Sequence, residues 1–94
     1  MATYFMFGRY SVEARGAITP ARTQRARETV QALGGDIVTI YALLGEIDLV
    51  IILELPGTEA ALQASVALSR LTGVTFSTYP AFSAEQLDAL MNHP

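Results

Sequence analysis

Apolar positions follow two rhythms along this chain. From Tyr41 to Glu54 (YALLGEIDLVIILE) they form two near-continuous runs interrupted at Gly45-Glu46, which reads as two strands joined by a tight turn. Strands that show apolar side chains to both faces are generally covered on both. The helical segments of this chain suffice for one face only, so the other is expected to meet a second copy.

The remaining elements follow from local signals. Residues 3–11 (TYFMFGRYS) are aromatic-rich and predict a first strand, followed by a polar loop over 12–19. Thr19-Pro20 starts a helix, Thr as N-cap and Pro at the first helical position. Ala26, Val30 and Leu33 give it a narrow apolar stripe, and Gly34-Gly35 ends it. Strands are predicted over 36–44 and 47–55. Pro56-Gly57-Thr58 then leads into a helix over about 59–71, with Ala61, Ala64, Leu68 and Leu71 on one side and Gly73 as its stop. A fourth strand covers 74–82, where Pro80 argues for an edge. Ser83 with Gln86 forms a capping box for a short last helix whose apolar side is Leu87, Leu90 and Met91.

The order is βαββαβ plus a terminal helix in one domain: an α+β, ferredoxin-like arrangement, with a four-stranded antiparallel sheet and both main helices on one face. Right-handed crossovers place the first and third strands in the centre. A two- or four-residue turn sets Tyr41 opposite Val50 and Leu43 opposite Asp48. Parity then assigns Val38, Ile40, Ala42, Leu44, Ile47, Leu49, Ile51 and Leu53 to the helix face. The open face receives Ile37, Thr39, Tyr41, Leu43, Asp48, Val50, Ile52 and Glu54. Burying its aliphatic members would contribute about 1.5–3 kcal/mol each, which favours sheet-on-sheet packing of two subunits.

The composition narrows the chemistry. Of 94 residues, 51% are apolar, slightly above the usual range of about 45–50%. All six cationic residues are Arg, so no lysine Schiff base forms, and the absence of Cys excludes thiol nucleophiles, disulfides and thiolate-bound metals. A net charge of −3 argues against nucleic-acid binding through a broad basic patch. No apolar run is long enough to span a membrane, and no signal peptide is evident. A soluble cytoplasmic protein without metal or cofactor is the expectation.

Leu33-Gly34-Gly35-Asp36, the hairpin Tyr41 to Val50, and Leu62 to Thr72 with the strand after it together resemble the GYD domain family over nearly the whole chain. Gly45 and Asp48 match the family's Gly, Tyr, Asp cluster, while Ile47 stands where the family has Tyr. The resemblance implies a ferredoxin-like fold assembled as a dimeric α+β barrel. It implies no particular reaction, since that barrel serves ligand-sensing domains, cofactor-free monooxygenases and haem-handling proteins alike.

Four residues head the candidates for a site. Asp48 opens an apolar strand, as a ligand-binding or acid/base carboxylate, or as a turn residue paired with Arg9. Tyr41 is a hydrogen-bond donor to a ligand or an interface aromatic, and Tyr4, Tyr10 and Tyr79 read the same way. Arg22, with Arg15 and Arg25, lies near a helix start, where cations mark an anion site or simply a solvated face. His93, next to the last residue, reads as solvent-exposed. The favoured function is a homo-oligomeric small-molecule-binding or sensory module. A cofactor-independent enzyme of monooxygenase or isomerase type with Asp48 as its base, and a structural assembly subunit, are the alternatives.

Overall fold

The computed structural model describes residues 1–16 and 19–92. Its elements are β1 (Ala2–Tyr10), α1 (Val12–Gly16), α2 (Pro20–Ala32), β2 (Asp36–Ala42), β3 (Leu49–Leu55), α3 (Thr58–Thr72), β4 (Val74–Ala81) and α4 (Ala84–Met91). The antiparallel sheet runs β2-β3-β1-β4, so β1 and β3 are central and the Pro80-bearing β4 is an edge. This is the ferredoxin-like α+β arrangement expected from the element order.

Helices α2 and α3 lie on one face of the sheet. The side chains buried most completely there are Met6, Val30, Leu53, Leu55, Leu68 and Val74. Burying side chains of this size contributes about 1.5–3 kcal/mol each. α3 meets the sheet through Ala60, Ala61 and Ala64, small residues that bring the helix close to the strands. Its C-terminus is closed by Gly73, whose φ of +72° is left-handed and whose N–H donates to Ser69 O. The box of Ser83 and Gln86 caps α4 as expected. No residue of α4 is buried, and Leu87, Leu90 and Met91 remain exposed.

The hairpin and the segment after β1 depart from the sequence reading. β2 stops at Ala42 and β3 starts at Leu49, so a six-residue loop, 43–48, replaces the tight turn and removes Leu44 and Ile47 from the sheet. Leu43 N–H still donates to Asp48 O, and Tyr41 still faces Val50. The register shifts between Ile37 and Thr39, leaving Val38 without a partner. This bulge turns Ile37 onto the helix face, buried opposite Leu53, and leaves Val38 55% exposed, reversing the parity expected for both. Beyond the bulge, Thr39, Ile40, Tyr41 and Ala42 alternate as expected. Residues 12–16, expected as loop, form α1 because Ser11 caps it: its hydroxyl accepts from Ala14 N–H, and its carbonyl accepts from Arg15 N–H.

Gly8 sits where three side chains converge. A Cβ there would lie 2.6 Å from Leu49 Cδ2, 2.7 Å from Val74 Cγ1 and 2.9 Å from Phe76 Cε1. Gly8→Ala is therefore expected to cost about 1–3 kcal/mol by overpacking, measured by urea unfolding. Deleting Val38 removes the unpaired residue while keeping both faces. It is expected to leave a cooperative thermal melt, whereas deleting Ile51 from bulge-free β3 flips the strand end and abolishes that melt.

Candidate functional site

Two groups of polar side chains adjoin one another at the hairpin end of the sheet. The first surrounds Asp48. Its N–H donates to Gly8 O at 2.9 Å, extending the β3–β1 ladder by one residue. Its carboxylate accepts from Tyr10 N–H at 2.8 Å through Oδ2 and from Arg15 Nη2 at 3.2 Å through Oδ1. Asp48 thus fastens the end of β1 and the last turn of α1 to the loop. Arg9 pairs instead with Glu46, at 2.7 Å, so the Arg9–Asp48 pair expected from the strand order is replaced by two separate ion pairs. Arg9 and Glu46 are both well exposed, and such pairs contribute little.

The second group surrounds a cavity of about 80 Å³ between the sheet and helices α2 and α3. Its apolar lining comes from Ala26 on α2, Ile40 on β2, Leu49 on β3, Leu68 on α3, and Val74 and Phe76 on β4. Leu49, Val74 and Phe76 are the side chains that converge over Gly8, so the missing Cβ of Gly8 lets them form a continuous floor. Tyr10, Arg22, Thr23 and Thr72 supply the polar atoms.

Arg22 is fixed by backbone carbonyls. Nη1 donates to Ala14 O at 2.8 Å and to Thr72 O at 3.4 Å, the latter at the C-terminal end of α3, where carbonyls lack helical partners and a cation is favoured. Its guanidinium carbon lies 5.9 Å from the centre of the Tyr10 ring, within cation–π range. Among the described residues, no carboxylate pairs with Arg22.

The structure therefore divides the sequence candidates among three places. Arg22 lines the cavity, Asp48 and Arg9 stand at the hairpin end, and Tyr41 lies on the open face of the sheet, 56% exposed. The four do not form one constellation. Tyr79 shares the open face, where its ring meets Phe7 edge-on at 5.8 Å. Tyr4 and Tyr10, read from sequence as ligand donors or interface aromatics, take the helix side: Tyr4 is buried in the core, and Tyr10 lines the cavity. The signal was present in the alternation Tyr4, Met6, Gly8, Tyr10, which places all four on one face. Arg25 is exposed, and His93 lies outside the described residues.

Among curated proteins, none matches this chain. A solved structure, the leucine response regulatory protein LrpA of Mycobacterium tuberculosis, shares the fold with a TM-score of 0.59 at 11% identity. The match covers 88% of this chain and 51% of that protein, so this chain spans about half its length. The sequence itself is more specific: the GYD domain matches residues 4–91, and the chain belongs to the GYD domain family.

Proposed function

We propose that this GYD-domain protein is a homo-oligomeric small-molecule-binding module whose ligand occupies the cavity between the sheet and α2/α3. The observation that carries this reading is the combination at that cavity: an apolar lining with a carbonyl-fixed arginine on its wall. Concave apolar sites with a few placed polar groups are the usual form of small-ligand pockets. The fold likeness to a leucine response regulatory protein is compatible with a ligand-responsive role.

The chemistry of the site favours binding over turnover. Both oxygens of Asp48 are engaged by Tyr10 N–H and Arg15, so its role is to brace the cavity rather than to take a proton from a substrate. Arg15 and Ala14 are neighbours in α1, and Ala14 O holds Arg22, so Asp48 reaches the cavity wall through that short helix.

A second copy is the proposed cover for the open sheet face. That face carries Phe5, Phe7, Tyr41, Val50, Ile52 and Tyr79, by strand register. Val50 at its centre is only 7% exposed, shielded by its neighbours, while Tyr41 and Tyr79 stand out at the flanks. A self-complementary patch of this kind fits a two-fold interface, with aromatics as anchors. No helix among the described residues is long and apolar enough to cross a membrane.

Two measurements test the reading. Sedimentation equilibrium is expected to give a dimer or larger closed oligomer at micromolar concentration. Tyr79→Asp should weaken it at least about tenfold, because a buried charge opposite apolar groups costs more than the about 1.4 kcal/mol that a tenfold change requires. A wild-type monomer would overturn the assembly. Native mass spectrometry of freshly purified protein, compared with its denatured mass, should show an excess that disappears on denaturation. Asp48→Asn should keep that excess while losing about 1–2 kcal/mol of stability; loss of the excess with an intact fold would return Asp48 to the site.

A further inference from the structure

The geometry points to a short, branched monocarboxylate as the ligand of the cavity, with its carboxylate on the outer edge of Arg22 and its hydrocarbon tail over the floor formed by Leu49, Val74 and Phe76. This rests on the reading of the cavity as a ligand site, and three features select the class.

The first is the state of Arg22. A guanidinium has five N–H donors in one plane. The two on Nη1 face Ala14 O and Thr72 O, whereas Nη2 and Nε have no acceptor among the described residues. The free Nη2–Nε edge is a parallel pair of donors, the arrangement that a carboxylate takes bidentately. Because the opposite edge is already held, and the plane lies near the Tyr10 ring, little further ordering is needed on binding.

The second is charge. Among the described residues that line the cavity, Arg22 is the only charged one. One cation matches one negative charge, which favours a monocarboxylate over a phosphate dianion. The lining also offers no carboxylate to an ammonium group. An α-amino acid would leave its charged nitrogen desolvated without a partner, so a simple acid is preferred to the corresponding amino acid.

The third is size. A dry apolar cavity of about 150 Å³ holds benzene. The cavity here is about 80 Å³, room for roughly half as many carbons. Its apolar lining is aliphatic except for Phe76 and the Tyr10 ring, which suits a compact branched tail better than a planar ring.

The test is a methyl NMR titration of the full chain with three probes of one carbon skeleton: isovalerate, its neutral amide isovaleramide, and its 2-amino derivative valine. Saturable shifts at the Leu49, Leu68 and Val74 methyls are expected with isovalerate, with the amide and valine each at least about tenfold weaker. That factor is the loss expected when a charge-assisted pair becomes neutral or an ammonium is left unpaired. Arg22→Gln should bring isovalerate down to the affinity of the amide. Ala26→Leu, which fills the cavity and leaves the arginine in place, should abolish binding of both. These variants also guard against misfolding, because the three-probe comparison on the wild-type protein needs neither of them. Equal binding of acid and amide at the same methyls would overturn the carboxylate class while leaving the cavity a ligand site. Valine binding as tightly as isovalerate would overturn the preference for a simple acid. Failure of every probe, with a different bound mass in the native spectrum, would overturn the class alone. Failure of every probe with no bound mass would overturn the ligand-site reading as well.

Discussion

The distance at which α2 and α3 can approach the sheet governs the rest of this molecule. It is set by small residues: Ala60, Ala61 and Ala64 on α3, Ala26 on α2, and Gly8 in β1, under Leu49, Val74 and Phe76. Where a larger side chain occupies the contact, as Val30 does, the layer is filled and no exposed surface remains. Where Ala26 stands on the helix side, close packing is incomplete and the cavity appears.

The fold was legible because its signals are local and repeated. Thr19 and Gly73 each fix an element end by one hydrogen bond, the Ser83–Gln86 box does so by two, and each stands where the residues place it. The order of strands followed from handedness alone. What escaped was what depends on counting. A bulge at Val38 inserts one unpaired residue and reverses the faces of Ile37 and Val38, and no residue type announces it. The hairpin loop is longer than Gly45-Glu46 requires because Asp48 is drawn to Tyr10 N–H and Arg15, contacts that join residues far apart in sequence. Ser11 as a helix cap was readable but was overshadowed by the polar character of the residues after it.

The site was legible only in part, for a related reason. Asp48 and Arg22 both stand out in the sequence as charges beside apolar runs. Their surroundings do not, because they are built by α1, an element too short to show a period, and by carbonyl groups, which no side chain reveals. Ala14 O and Thr72 O turn Arg22 from a surface cation at a helix start into a half-buried group tied to two chain segments. Asp48, read from sequence as a candidate acid or base, braces the same assembly from the other side.

The two outer strands carry a further consequence. β2 is broken in pairing by the bulge at Val38, and β4 holds Pro80, a residue with no amide proton to offer a neighbour. Neither rim of the sheet is a clean template for another strand, so open-ended lateral growth into filaments is disfavoured at both. A small chain with so much aliphatic surface would otherwise be at risk of running on into fibres. Blunted rims confine its stickiness to a flat face, where contact saturates once a partner has arrived.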